Sequence, residues 1–354
     1  MQELAPSFKE NQDRPERALR PLFFREFIGQ KELVDNLSTF VRAAKKRNEP
    51  LDHVLLSGPP GLGKTSLAHL LANELGVQCH TTSGASIART GELAALLTNL
   101  KPHDVLFVDE IHRLGRHIEE ILYPALEDKK LDLMVGEGPA ARSVRLQLAP
   151  FTLVGATTRQ GVLSRPLRDR FGILAQVNFY EDEALALIIA NAASRLELPL
   201  AENAALFLAA RARGTPRIAL RLLRRLQDFA VVQSVATCDV TFIQTCLAAL
   251  GVDHIGLDTL DCKYLKAIYH QFSGGPVGID TLAAALFEER TTLEDVVEPF
   301  LIQRGFLKRT ARGRVLGAAA IEHFNWVLNN SALEGADKED QAEEGALLQK
   351  KVEG

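Results

Sequence analysis

The chain has 354 residues, 46% of them hydrophobic, enough to bury a large core and to make two or three domains. With 41 Lys and Arg against 45 Asp and Glu the net charge is −4, so a nucleic-acid surface, if present, must be local. The four cysteines (Cys79, Cys238, Cys246, Cys262) make no C-x-x-C pair and have no histidine at zinc-ligand spacing, and there is no N-terminal apolar leader or apolar run of about 18 residues. These features argue for reduced thiols and a cytoplasmic chain, and against secretion or a membrane span.

Residues 1–18 are polar and charged and read as a loosely ordered arm. From about 19 to 180, short apolar strands alternate with helical segments, the pattern of a parallel α/β sheet. Strands are expected at 53–57, 78–82, 104–109, 151–156 and 173–179. Behind the first of them comes Gly58-Pro-Pro-Gly-Leu-Gly-Lys-Thr65, followed by a helical run from Ser66 to Leu75. Strand, glycine-rich loop, Lys-Thr and helix make a phosphate cradle. Glycines let backbone N–H groups curl around phosphates, and a helix N-terminus adds a positive dipole end. Lys64 then reaches the β- and γ-phosphates and the Thr65 hydroxyl can ligate Mg²⁺.

Asp104 to Glu110 is an apolar run ending in two carboxylates. By itself it reads as a core strand entering an acidic turn. Behind a phosphate loop, Asp109 is placed to hold Mg²⁺ and Glu110 to orient or deprotonate an attacking water. Further on, 131–135 and 143–148 flank Gly136-Glu-Gly-Pro139 and read as a β-hairpin.

From about 181 to 253 the strand signal disappears and Ala, Leu, Ile and Arg recur at helical spacing. In this helical unit Thr215 and Pro216 make a helix start, N-cap and first position, which puts Arg217 in the first turn. There side chain and dipole can face an anion together, although a solvated arginine beside an ordinary cap fits the residues equally well. Residues 254–330 offer three helices, 260–272, 279–286 and 292–304. The last carries an apolar stripe of Leu293, Val296, Val297, Phe300 and Leu301 behind a Thr291–Glu294 capping box. An alternating apolar and basic stretch, Phe306 to Leu316, follows with a glycine in its turn. Three helices and a hairpin make a winged helix. Arg304, Lys308, Arg309, Arg312 and Arg314 concentrate positive charge there, as a phosphate-backbone contact requires. Residues 331–354 are net acidic and read as a disordered tail.

Taken together these segments resemble the RuvB family, Holliday-junction branch-migration motors among the AAA+ ATPases. The resemblance runs from Leu19-Arg20-Pro21 to about Val315. It is carried by Leu51–Thr65, Leu93–Leu100, Asp109–Leu114, Gly155–Arg159, Pro166–Gly172, Gly214–Ile218 and Gly274–Gly278. It implies a large α/β ATPase domain to residue 180, a helical lid over 181–253, and a winged-helix head over 254–330. Gly61, Gly63, Lys64, Thr65 and Ser66 fall on the nucleotide loop. Leu19, Arg20, Ile28 and Tyr180 fall where the family closes over adenine, and Glu127, Asp128 and Lys129 join the nucleotide-binding set. Asp109 and Glu110 match the Walker B carboxylates and Thr158 the sensor that helps orient the lytic water. Arg170 matches an arginine finger reaching a neighbour's nucleotide, and Arg217 the lid arginine on the γ-phosphate.

The same resemblance implies ATP and Mg²⁺ as cofactors and a homo-hexameric ring on duplex DNA of four-way junctions. The hairpin 131–148 would dock a RuvA-type junction-binding protein, and a RuvC-type resolvase is a further partner. Arg290, Arg309 and Arg314 match DNA-contacting positions. Three residues depart from the family pattern: Ser66 for a second Thr, Ala219 for Asn, and Phe287 for a small residue. A clamp loader or other remodelling ATPase is the first rival reading, and a winged-helix regulator using ATP as a switch is the second. The hairpin and winged helix speak against the one, Glu110 and Arg170 against the other.

Overall fold

The computed structural model describes residues 19–135 and 142–326. The expected arm 1–18, the hairpin turn at 136–139 and the acidic tail lie outside the described residues. Two compact units divide the chain, one ending at Ile243 and the other beginning at Gln244.

The first unit is built on strands β1 (Val54–Ser57), β2 (Cys79–Ser83) and β3 (Val105–Asp109), then β4 (Lys130–Val135) with β5 (Arg142–Gln147), then β6 (Thr152–Thr157) and β7 (Ile173–Gln176). Five of them form a parallel sheet in the order β2-β3-β6-β1-β7. β1 and β6 are buried at every position, as strands covered on both faces must be, whereas the edge strand β2 (Cys-His-Thr-Thr-Ser) is only half-buried. β7 stops short of the expected residue 179. After Val177 donates to Ser57 O, the chain leaves the sheet and Tyr180 N–H bonds to Gly214 O.

Helices α1 (Lys31–Arg47), α2 (Lys64–Leu75), α3 (Thr90–Thr98), α4 (Arg116–Glu127) and the single turn α5 (Arg165–Arg168) accompany the sheet. α2 buries Leu67, Leu70 and Leu71 between the sheet and α1. On the other side Leu93, Leu97, Ile118, Leu122 and Leu126 pack with Leu106, Val108 and Leu153. β4 and β5 pair antiparallel apart from the sheet, with Asp132 and Arg145 opposite each other in a two-pronged ion pair.

Four helices follow: α6 (Asp182–Arg195), α7 (Ala204–Ala209), α8 (Pro216–Gln233) and α9 (Val240–Ala249), with α6 packed on α7 and α8. Thr215 is the N-cap of α8 and Pro216 its first residue, but the Thr215 hydroxyl donates back to Ala212 O at 3.2 Å instead of capping the helix.

The second unit holds α10 (Thr259–Phe272), α11 (Ile279–Leu286), α12 (Arg290–Thr292), a π-helical turn Leu293–Val297, α13 (Glu298–Gln303), the hairpin β8 (Leu307–Thr310) and β9 (Gly313–Leu316), and α14 (Ala318–Phe324). Val277 bridges to Arg314 as a short third strand. Gly313 is required there, because a Cβ on it would lie 2.4 Å from Val277 O. This is the winged-helix arrangement.

Two details correct the expectation from sequence. Thr291 does not cap a helix, which begins one residue earlier at Arg290. Glu294 is bound by Arg290 and Arg314, charged partners that outcompete a backbone N–H. Val296 is 57% exposed, while Leu293, Val297, Phe300 and Leu301 are buried. The wider π turn rotates the stripe away from the 3.6-residue spacing on which that expectation rested.

Candidate functional site

Three parallel strands deliver the site, each from its C-terminal end. Gly58 follows β1, Asp109 ends β3, and Thr158 follows β6, which lies between them. At the usual interstrand spacing the carboxylates stand roughly 10 Å from the loop strand, with β6 bridging the gap. Gly58 N–H donates to Thr157 O at 3.2 Å and locks the loop to the end of β6.

The loop takes its shape from glycine. Gly58, Gly61 and Gly63 have φ of 139°, 80° and 98°. A Cβ at Gly58 would stand 2.3 Å from Val177 O, and one at Gly61 would stand 3.0 Å from Arg217 Cβ. That second approach is part of a direct tie, since Arg217 N–H donates to Gly61 O at 3.2 Å. The first turn of α8 therefore rests on the phosphate loop, with the Arg217 side chain exposed beside it.

Lys64 is buried, and its Nζ donates to Gly58 O and Pro59 O, each at 2.7 Å. Burial lowers its pKa from 10.5 to about 8, with Asp109 pulling the other way. Thr65 and Ser66 are half-buried in the same turn. Glu110 sits in the left-handed region (φ 48°), a strained backbone of the kind found at functional sites. Its N–H donates to Asp109 Oδ1 at 2.9 Å, and its carboxylate accepts from Arg113 Nη1 at 2.9 Å.

A cavity of about 110 Å³ opens beside the loop, lined by Leu19, Arg20, Ile28, Gly63, Ser66 and Tyr180, all named from sequence. Phe27, Ile188, Asn191, Arg195, Pro216 and Leu220 are among the residues that also line it. The segment 22–24 that follows the first lining residues is tied to α2 by Phe24 N–H to Glu74 Oε1 (2.9 Å) and by Asn73 Nδ2 to Leu22 O (3.0 Å). Tyr180 packs against Gly29 and donates to Leu62 O at 3.3 Å; burial raises its pKa.

Arg170, Glu127, Asp128 and Lys129 lie elsewhere. Arg170 precedes β7, whose first residue pairs with Val54, the first of β1. Lys129 Nζ donates to Leu126 O at 2.7 Å and touches His53, immediately before β1. These residues therefore occupy the N-terminal edge of the sheet, with β1, roughly 13 Å of strand, between them and their own phosphate loop. The Arg170 guanidinium pairs with Glu127 Oε1 at 2.9 Å and lies 4.4 Å over the Tyr123 ring. Tyr123 is held in turn by Glu119 and Ser164. Asp128 is exposed beside Glu127.

Residues 19–177 match the family model of the Holliday junction DNA helicase RuvB P-loop domain, 180–253 the RuvB AAA lid domain, and 254–325 the RuvB C-terminal winged helix domain. The structure resembles that of the Thermotoga maritima RuvB Holliday junction branch migration motor, with 46% identity, a TM-score of 0.81, and 88% of this chain and 100% of that one covered. The K64R mutant of Thermotoga maritima RuvB (46% identity, TM-score 0.82, covering 88% and 99%) and its R170A mutant (45%, 0.80, 88% and 99%) are similar to the same degree.

The chain belongs to the RuvB family.

The arginines of the RuvB-type head are braced rather than free. Glu298 is fully buried and accepts from Tyr264 OH at 2.6 Å, from Arg314 Nε at 2.9 Å and from Arg309. Glu294 joins Arg290 to Arg314. Burial pushes the Glu294 carboxyl up, but hydrogen bonds and charge from Arg290 and Arg314 outweigh it and hold the group below the usual range. Arg290 and Arg309 reach the surface, while Arg314 is only 14% exposed. Glu298, Tyr123 and His112, which meets Thr157 Oγ1 at 3.0 Å, went unnoticed in the sequence because each has a partner distant along the chain, and Glu294 entered only as half of a capping box.

Proposed function

We propose that this chain is an ATP-hydrolysing DNA motor that drives branch migration of four-way junctions in recombination and repair. In this reading a large domain to residue 180, a lid over 181–253 and a head over 254–330 work in the cytoplasm as a homo-hexameric ring. A RuvA-type protein docks on the 131–148 hairpin, and a RuvC-type resolvase can join the assembly. Among the described residues no helix is long and apolar enough to cross a membrane. The observation that carries the proposal is the separation of Arg170 from its own phosphate loop by the length of β1, which fits an ATP site completed by a second copy.

Each residue then has a task. The pocket of Leu19, Arg20, Ile28 and Tyr180 takes the adenine. Backbone N–H groups around Gly61 and Gly63 cradle the phosphates, and Lys64 exchanges its loop carbonyls for phosphate oxygens. Thr65 and Asp109 offer the hard oxygen donors that suit Mg²⁺. When bound, that ion neutralises charge developing on the phosphates. Glu110 orients the water and takes its proton, Thr158 helps orient it, and Ser66 supports the loop. Arg217, tied to Gly61 through its backbone, reports the state of the γ-phosphate to the lid. Arg170 meets the neighbour's nucleotide, with Glu127, Asp128 and Lys129 on the same surface. Arg290, Arg309 and Arg314 grip the DNA backbone without reading sequence.

Dissociation of a labelled synthetic four-way junction, with ATP and a RuvA-type partner, tests the proposal. Movement should require ATP and be abolished by Lys64→Ala. ATP turnover without junction movement would leave the ATPase assignment standing and reject branch migration.

A further inference from the structure

The head unit gathers three metal-type ligands that neither the ATP nor the DNA chemistry uses. Asp253 and His254 lie between α9 and α10, and His323 lies in α14. One ligand atom from each is within 4.8 Å of the others. The carboxylate is fixed in place: Asp253 Oδ1 accepts from Ile255 N–H at 3.0 Å and from Leu257 N–H at 2.8 Å, which leaves Oδ2 to face His323 Nε2, also at 3.0 Å. The His323 ring is wedged edge-on by Phe306 and Phe324, with centroids 5.7 and 4.6 Å away, and its side chain is 11% exposed. His254 stacks on it at 4.9 Å with the planes 24° apart, from an exposed position that lets its ring turn.

Two imidazoles and a carboxylate suit a borderline transition ion and not Mg²⁺. Ligand atoms around a tetrahedral ion with bonds of about 2.0–2.2 Å stand ~3.4 Å apart. The Asp253–His323 pair is therefore near that spacing already, and the exposed ring of His254 has the larger distance to close. The two backbone N–H groups on Oδ1 are outer support of the kind that orients a metal ligand. We propose that Asp253, His254 and His323 form a binding site for a divalent transition ion of the zinc type, with water in the remaining position. The ion takes the place of the hydrogen between His323 Nε2 and Asp253 Oδ2, and His323 binds it as the neutral imidazole with its one proton on Nδ1. Because Asp253 ends the lid match and His254 begins the winged-helix match, the bound ion fastens the loop entering the head to its last helix.

Titration of the full-length, tag-free protein with Co²⁺, without nucleotide, tests this site. The expected result is one equivalent bound, with the visible d–d absorption of a four-coordinate ion that Zn²⁺ displaces. His254→Ala should weaken binding at least about tenfold, and His323→Gln should do the same. Because His254 is exposed, its variant keeps the proposal testable even if His323→Gln misfolds. Zn²⁺ should raise the Tm of the wild type and leave that of His254→Ala unchanged. Absence of saturable absorption, or absorption indifferent to His254→Ala, would overturn the proposal.

Discussion

His53 is 8% exposed and keeps one protonation state. Its Nδ1 accepts Leu153 N–H at 2.9 Å, so the proton sits on Nε2, 3.3 Å from Leu126 O. Burial, and then the charge of Lys129, lower its pKa from 6.5 to about 4. Between those values the unfolded chain binds more protons than the folded one. Stability is therefore complete above pH 6.5 and falls as the pH drops toward 4, by about 3 kcal/mol in all. Urea unfolding of the first unit across this range should show that loss. His53→Gln, which keeps an acceptor for Leu153, should flatten it. Phe287 makes the opposite case. It stands 96% exposed at φ 55°, so a bulky residue occupies a left-handed cap without packing to compensate. Phe287→Gly should stabilise the head by about 0.5–1 kcal/mol, read from its thermal unfolding. An unchanged or lowered Tm would mean that the ring has a partner of its own.

Within elements, the head depends on one buried acid. Glu298, at the start of α13, anchors Arg309 and Arg314 of the wing and Tyr264 of α10. Removing it leaves cations without a counter-charge, and Glu298→Ala should cost about 3–5 kcal/mol and weaken junction binding. Stability lost with DNA affinity intact would separate the network from the grip. This element also shows what sequence can carry. The phosphate loop was legible because strand, glycines, Lys-Thr and helix are contiguous, and each step has a local physical reason. The residues proposed to hold adenine followed from the family resemblance, and one cavity brings Leu19, Arg20, Ile28 and Tyr180 together, while Arg217 followed from its helix start as well. The Glu298 anchor, the Tyr123 platform under Arg170 and the His323–Asp253 contact were not legible. Their partners lie 11 to 70 residues apart in the chain, and only the fold joins them. The capping box at Thr291 fails because the local pattern gives way to Arg290, one turn before Glu294, and to Arg314, supplied by β9.

At the scale of the whole molecule, the ATPase sheet has two chemically different edges. One, at the C-terminal strand ends, carries the loop, the Asp109–Glu110 carboxylates and Thr158; the other carries Arg170 braced by Glu127 and Tyr123. Stacked copies would bring unlike edges together, a head-to-tail contact of the kind that closes rings. An arginine finger, the role proposed for Arg170, is worth on the order of 10³–10⁵ in turnover, so on that proposal an isolated copy should be a poor ATPase.

The measurement that tests this most directly is ATP turnover by Arg170→Ala and Lys64→Ala chains, each alone and then mixed. The account predicts that either variant alone is nearly inactive. The mixture should regain activity, because the intact loop of one variant meets the intact finger of the other. Wild-type turnover by Arg170→Ala alone, or a mixture no better than its components, would contradict a site shared between copies.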